Sequence, residues 1–474
     1  MLNTIIKSEA RLRAGGLPGG VGRRWGCVLG VAVLSAAMAY LPAHADQQSR
    51  SSGSAVPAAV PAAGVATGMD GFVPFLHTTT GQGAYTQAWV IAHHGYSSMT
   101  APRVSCVNVN TGGFCADASG NPTTWPKPLN INSGSLGSGN TGDLATTQIP
   151  QMVQASGSDV VYYPAVTTQP VTGFPNGSVG AGCLDMKKQT NCGYTPLAAL
   201  TNVVGQSNVN GLTGFVVQGS RAYGTTTNGL EVCFALSNGK ACPGQPFATN
   251  TPPSNDAAGL GPTDFTGTTT VVNGRIYIAS NGSRVGNGRT HPPTLTCFDP
   301  NTNASCAGWT PKVITDPNAS LALAIFPDLN IPGVPIGVCT VVGNKTPAAP
   351  IVACFDFTGT SIGAPAGMTA LLAQLPATGR NVVFQPLTTT VGTGQRTYLP
   401  FYVQKTGIGH TVCYSWTSQS ACPGFPAPLA HPGVNGGRTQ DYGYTYNSTL
   451  GCIYGDGDKG YLFSFNAITG ASGC

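Results

Sequence analysis

Five pairs of cysteines in this chain of 474 residues share one spacing, Cys-x8-Cys: Cys106/Cys115, Cys183/Cys192, Cys233/Cys242, Cys297/Cys306 and Cys413/Cys422. The clearest copy is Thr294-Leu-Thr-Cys297-Phe298-Asp299-Pro300-Asn301-Thr302-Asn303-Ala304-Ser305-Cys306. Leu295, Cys297 and Asp299 alternate with Thr294, Thr296 and Phe298, the two-residue period of a strand. Pro300 to Asn303 supplies turn chemistry, since proline presets φ and asparagine tolerates left-handed angles. Folding back about Asn301 and Thr302 sets Cys297 opposite Cys306. Cross-strand Cα atoms lie about 4.5–5.5 Å apart, inside the roughly 4.4–6.8 Å that a disulfide needs. Each unit is therefore expected to be a β-hairpin closed by its own disulfide. Each such loop of about ten residues contributes roughly 2–3 kcal/mol. Metal-ligand spacing is absent: there is no Cys-x2-Cys pair, and no histidine recurs beside the pairs.

The first 45 residues are expected to be a signal peptide. Arg23-Arg24 precede an apolar run from Trp25 to Leu41, and Ala43-His44-Ala45 ends it as a cleavage site. The run is short for a membrane span, so none is expected after cleavage. Removing the segment takes away Cys27 and leaves fourteen cysteines, an even number suited to an oxidising compartment. Seventeen basic and sixteen acidic residues then remain. So balanced a chain offers no electrostatic footprint for nucleic acid or acidic membranes. Glu231 is the one glutamate left, so paired-glutamate hydrolysis has no material to work with. The expected location is secreted: periplasmic, cell-surface or extracellular.

Residues 46–70, rich in Pro, Ala and Ser, are expected to form a disordered linker, and residues 71–474 the folded domain. With 65 Gly and 37 Pro, long helices are excluded, although Leu371 to Leu375 suggests one helical turn. A unit of about 50–75 residues repeats. Each opens with a Val/Thr strand, turns at glycine and continues into an aromatic-marked strand, as in Thr270-Val-Val-Asn-Gly-Arg-Ile-Tyr277, Val216–Tyr223 and Thr390–Tyr398. A loop of varying length then leads into the cysteine hairpin. Anchored on positions 106, 183, 233, 297, 354, 413 and 464, the chain holds seven units, within the usual range for propeller blades. The fifth has Cys354-Phe355-Asp356 but no downstream cysteine; Cys339 stands instead on its aromatic strand. The seventh carries Phe463-Ser464-Phe465-Asn466 in the box, with Cys452 upstream and Cys474 downstream. Non-adjacent blades cannot share a disulfide, which pairs Cys339 with Cys354 and Cys452 with Cys474. The expected fold is an all-β, seven-bladed β-propeller. Its last blade lacks an outermost strand, and Gly71–His77 is expected to supply it and close the ring.

The last unit, Ile453-Tyr454-Gly-Asp456-Gly-Asp458-Lys-Gly460-Tyr-Leu-Phe-Ser-Phe-Asn466-Ala467-Ile468-Thr469-Gly470, resembles the repeat of quinoprotein-dehydrogenase-type (PQQ-type) β-propellers, and Cys297–Thr302 is a cruder copy. The resemblance implies the fold; such repeats serve enzymes, scaffolds and adhesins alike. In enzymes of that family adjacent cysteines often form a disulfide, and a tryptophan docks one blade on the next. Here no two cysteines are adjacent and only Trp309 stands at a comparable place. Quinone binding is therefore not carried over, and the disulfides are expected to take over the stapling.

Candidate chemistry is sparse. Asp456-Gly-Asp458-Lys-Gly460 has alternating carboxylates reminiscent of a calcium loop, without the third carboxylate or the closing acid; a plain turn is the competing reading. His93-His94 follow an apolar strand and would face opposite sides of it; a loop at the mouth of the first blade is the alternative to a binding role. His291, His410 and His431 are placed in loops. Asp185, Asp299 and Asp356 recur at one box position, which suits turn capping. No nucleophile elbow, His-Glu-x-x-His helix or phosphate loop is present. The function expected is a monomeric, non-catalytic binding propeller recognising a glycan or protein partner through variable loops such as Leu129–Gly142 and Ala248–Pro262. Two alternatives are an extracellular propeller enzyme (polysaccharide lyase, hydrolase or oxidoreductase) acting at the central pocket, and a structural component of a cell-surface assembly. Peptide mapping without reduction should recover seven links, all between neighbours within one unit; a link between distant units would overturn the blade assignment.

Overall fold

A computed structural model describes residues 65–66, 73–78, 86–91, 103–117, 119–121, 123–136, 145–146, 151–200, 212–226, 228–252, 268–280, 283–285, 288–314, 320–329, 334–344, 349–376, 381–403, 406–431, 443–457 and 461–474. All belong to one compact unit, Val56–Cys474; the expected signal peptide lies outside the described residues. The fold is a seven-bladed β-propeller. Each blade is an antiparallel meander, and the innermost strands are Phe75–Thr78, Val153–Gln154, Val216–Gln218, Thr269–Val272, Ser320–Asp328, Leu387–Val391 and Tyr444–Asn447. One helix, Met368–Leu372, begins slightly before the expected turn and buries Met368, Leu371 and Leu372. No helix among the described residues is long and apolar enough to cross a membrane.

The cysteine box forms as its spacing requires. Phe298 pairs with Ser305 and Asp299 with Ala304, the Cys306 N–H donates to the Cys297 carbonyl at 3.0 Å, and the two Cα atoms lie 5.4 Å apart. Asn303 adopts φ 53°, and the Asp299 carboxylate accepts the Asn301 N–H at 2.9 Å. Asp356 and Asp185 cap the equivalent turns, accepting N–H groups from Thr358, Thr360 and Lys188. The seven disulfides are Cys106–Cys115, Cys183–Cys192, Cys233–Cys242, Cys297–Cys306, Cys339–Cys354, Cys413–Cys422 and Cys452–Cys474, with Cα separations of 4.0–5.9 Å.

The marked aromatic residue of each second strand lies directly across from the first cysteine of the box. Trp89 pairs with Cys106, Tyr162 with Cys183, Tyr223 with Cys233, Tyr277 with Cys297 and Tyr398 with Cys413. In the fifth blade Cys339 occupies that aromatic place and bonds straight across to Cys354. Second-strand side chains alternate between two seams, as a two-residue period requires. Tyr277 and Ala279 face the fifth blade, whereas Ile276 and Ile278 face the third. Every second strand is thus apolar on both faces, for the reason that both are covered.

Seven apolar clusters fill the seams between neighbouring blades. An open arc of seven blades has six seams, so the seventh closes the ring. It joins Ala88, Val90 and Val107 of the first blade to Cys452, Tyr454 and Leu462 of the last. The disulfides do not staple blades to one another, because each joins strands of one blade. Most instead add their sulfurs to the filling of the seam ahead, as Cys297 and Cys306 do beside Tyr277 and Trp309. Docking falls to aromatic pairs, and tryptophan is only one way to make them. Trp309 meets Phe355 at 6.1 Å between ring centroids, Phe425 meets Phe465 at 5.9 Å, and Phe247 meets Phe298 at 6.0 Å. Polar ties cross the same seams: Arg275 Nη1 donates to the Phe357 carbonyl at 2.8 Å, and Arg396 Nη1 to the Ala467 carbonyl at 3.0 Å.

The closing strand differs from the one expected. Phe75–Thr78 pairs with Thr86–Ile91 as the inner strand of the first blade, so Gly71–His77 is not the donor. Val65–Ala66 pairs with Leu462 and Tyr461 in the last blade. These two residues lie inside the segment expected to be a disordered linker, and they are too few to display any periodicity. Ser472 bridges Phe465 on the same edge, so segments from opposite ends of the sequence share one outer-strand position. A chain beginning at residue 68 should melt several degrees below one beginning at residue 46 in thermal denaturation and aggregate more readily, because the edge at Tyr461–Leu462 loses its cover; equal midpoints would show that Val65–Ala66 do not seal the ring.

Candidate functional site

Strand direction alternates within a blade, so the two ends of each blade differ. One end carries the turn from the first strand to the second and the turn from the third to the fourth. Several of these are short: Asn273-Gly274, with φ 50° and 75°, is the tight hairpin turn that needs left-handed residues at both places; the fifth blade is an exception, with a longer connection from Asp328 to Gly337. The other end carries the connections from second to third strand and from blade to blade, which include the longest, such as that between Phe247–Ala248 and Thr269–Val272. Neighbouring inner strands run the same way, as the parallel bridge between Gln385 and Gly443 shows for the last two blades.

At that loop end, on the seam of the first two blades, lies a groove of about 620 Å³. Ile131 and Asn132 line it from the connection between the blades, Pro170–Pro175 from the second-to-third-strand connection of blade two, and Tyr194 and Pro196 from the outer strand Thr190–Ala199. Among the described residues no charged side chain lines it. The Pro170–Pro175 loop is held by a tight pair of backbone hydrogen bonds between Val171 and Phe174, at 2.8 and 3.2 Å. Tyr194 is seated by glycine: a Cβ on Gly180 would strike its hydroxyl at 2.7 Å. Gly182 makes the same room for Tyr163. The Tyr194 hydroxyl donates to the Ser178 carbonyl and shares a second hydrogen bond with Ser178 Oγ, both at 3.0 Å. Leu129–Gly142 was expected to be a recognition loop, and its Ile131–Asn132 portion does line the groove. Tyr194 and Phe174 were not singled out; the alternation Gly180-Ala-Gly182 on one strand, with tyrosines on both neighbouring strands, is the signal that points to them.

The residues singled out from the sequence are scattered. His93, His94 and Asp458 lie outside the described residues. Asp456 is not a turn residue: it belongs to the strand Cys452–Gly457 and is fully buried. His410 and His431 are in strands rather than loops, Ile408–Ser415 and Leu429–His431, which pair in the sixth blade. His291 ends the strand Gly288–His291 of a small hairpin inserted in the fourth blade, in which Arg284 pairs with Arg289. His431 Nε2 and Thr411 Oγ1 are 2.6 Å apart, Thr411 Oγ1 and the Tyr444 hydroxyl 2.6 Å, and the His431 ring lies 5.0 and 5.2 Å from Phe463 and Phe465. Burial, then neighbouring His410, pulls the His431 pKa down to about 3, so this ring is a neutral part of the seam. His77 reaches Asp159 of the second blade at 3.1 Å, and burial outweighs that carboxylate in lowering its pKa. Asp328, Cys339 and Cys354 come close enough to share an ion, but both sulfurs are committed to their disulfide.

Glu231, the last glutamate, is fully buried at the loop end of the third blade. Burial pushes its pKa up to about 8, against the opposing hydrogen bond from Thr225, whose Oγ1 lies 2.6 Å from Oε2. The carboxyl is therefore protonated at neutral pH in the fold and ionised when the chain unfolds.

No protein-family profile matches the sequence, and no curated protein matches it. Among solved structures the chain is similar to BamB from Moraxella catarrhalis, at 14% identity over 80% of this chain and 81% of that one, with a TM-score of 0.38. It is similar to hydrazine synthase of Kuenenia stuttgartiensis at 6% identity over 81% and 93%, with a TM-score of 0.46. A computationally designed protein is similar at 8% identity over 86% and 99%, with a TM-score of 0.39. The propeller assignment stands on the seven sheets and seven seams, not on these distant likenesses.

The raised pKa of Glu231 has a definite sign in stability. The folded state holds the proton between the ordinary carboxyl value of 4.5 and about 8, so stability falls as pH rises through that window. Glu231→Gln keeps a neutral partner for Thr225 and removes this dependence. The variant should gain about 1–3 kcal/mol over the parent at pH 8 and little at pH 4 in urea unfolding; equal pH slopes would show the carboxyl to be ionised in the fold.

Proposed function

We propose that this chain is a secreted or surface-exposed, non-catalytic binding propeller that recognises a glycan or protein partner on its loop face. The observation that carries this reading is the difference between the two ends of the blades. The turn end carries side-chain-capped hairpins, whereas the longest connections and the groove, with no charged side chain among its described lining residues, belong to the other end. A rigid frame that presents loops on one side is the usual arrangement for recognition. Seven disulfides within blades suit an oxidising compartment outside the cytosol.

A thermal-shift screen of the purified protein against neutral and acidic glycans and calcium, with and without chelator, tests the reading. Binding to the native state raises the midpoint by mass action: a ligand at a hundred times its Kd adds about 2.7 kcal/mol, a shift of roughly 2–4 °C or less for a domain this large. A glycan shift, or retention of a protein partner by the immobilised chain that loop-face substitutions abolish, is the expected outcome. A calcium shift reversed by chelator would add a metal site to the reading. Turnover of a glycan in the same mixtures would overturn the non-catalytic reading.

A further inference from the structure

We infer that the groove on the seam of blades one and two binds a neutral saccharide, whose rings stack on the faces of Phe174 and Tyr194. The inference rests on the binding-propeller reading and names its ligand class and site. The volume, about 620 Å³, falls within the roughly 300–1,000 Å³ of small-ligand sites. The wall is built from flat, apolar plates: Phe174, Tyr194, and the rings of Pro170, Pro175 and Pro196. Such plates match the C–H faces of a pyranose. Asn132 and Thr172, both exposed, stand at the same wall as hydroxyl partners. With no charged side chain among the described lining residues, a uronate, sulfate or phosphate would find no compensation there.

The same wall offers little to a peptide. A peptide added as a strand needs a free row of backbone donors and acceptors, and the outer strand Thr190–Ala199 does not present one. Thr190 and Asn191 already pair with Ser135 and Gly134. Pro196 has no N–H, the register shifts beside it, and Gln245 Nε2 of the third blade takes the Leu197 carbonyl at 2.7 Å. A proline-rich peptide in an aromatic groove needs donors for its carbonyls. The Tyr194 hydroxyl is bound to Ser178, which leaves Asn132 and Thr172 as the side-chain donors among the described lining residues. What Tyr194 presents is its ring.

The Phe174 backbone and the Tyr194 ring are held before any ligand arrives. Phe174 accepts from Val171 and Gly177 through its carbonyl, at 3.2 Å each, and donates to Val171 at 2.8 Å. Tyr194 is fixed by Ser178 and by the space at Gly180. Preorganised aromatic faces save the ordering cost that a mobile loop would incur.

Isothermal titration calorimetry of the purified protein with cello-, malto-, manno- and galacto-oligosaccharides, an oligogalacturonate and a proline-rich peptide tests the inference. At least one neutral saccharide should bind, and Phe174→Ala should weaken it by at least about tenfold, as expected for losing one stacked ring. Phe174 lies in a surface loop, and an unchanged melting midpoint would show that the variant is folded. Should that variant be unfolded, Thr172→Trp, which obstructs the groove from an exposed loop position, is to produce the same loss. Binding of a neutral saccharide that both variants leave unchanged overturns the groove but leaves the binding propeller standing. Binding of the peptide or the oligogalacturonate alone overturns the ligand class. No heat with any saccharide overturns the inference.

Discussion

A sheet of three to six strands that is apolar on both faces cannot exist alone in water. Each blade of this protein is such a sheet, and the whole structure follows from the need to cover both faces at once. Burial of apolar surface is worth about 25 cal/mol per Å², so two bare faces would outweigh any turn, cap or disulfide within the blade. Stacking blades side by side covers all faces except the first and the last. Bending the stack into a ring covers those two as well, through the cluster that holds Ala88, Val90, Tyr454 and Leu462. Closure of the ring is thus the condition under which the other six seams can be dry.

The repeated residues act on different sides of this requirement. The aromatic residue of the second strand, with the disulfide opposite it, fills the seam ahead. Aspartate or asparagine in the box fixes the hairpin turn. Arginine at the start of the second strand reaches over the seam to a carbonyl just past the next blade's capping residue, as Arg275 does to Phe357 and Arg396 to Ala467. The disulfides constrain hairpins that are otherwise only a few residues long, such as Ala304–Ser305 and Ser420–Ala421. Linkage within blades and apolar contact between blades are separate devices, and the chain uses both.

Much of this was legible because it is local and periodic. The Cys-x8-Cys hairpin is set by turn chemistry and strand geometry over ten residues, and its repetition gives the blade count. The exceptional pairs, Cys339–Cys354 and Cys452–Cys474, followed from distance alone. What the sequence hid is non-local. Phe75–Thr78 has the same alternation whether it lies innermost in the first blade or outermost in the last, and Val65–Ala66 is too short to show a pattern. Docking by Phe247 and Phe425 escaped notice because one ring can replace another in a seam. The groove was half visible: Ile131 and Asn132 fall in an anticipated loop, but Tyr194 acquires its place only when strand pairing sets it over Gly180. His431 looked like a loop residue because its strand, Leu429–His431, is short and follows proline, and His410 because glycines at 407 and 409 open the strand Ile408–Ser415.

The outer edge of the last blade has a topological consequence. Ser472 stands opposite Phe465 and Val65 opposite Leu462. Gly473, at φ 74°, bends the chain after Ser472, and Val65 takes up the same edge a few residues further along. A short linker between these two segments would therefore turn the ring into a covalent circle with no first blade. Such a circle could be reopened at any connection on the loop face, giving circularly permuted chains that keep every seam and every disulfide. The order of the blades in the gene is one choice among seven that the packing treats alike.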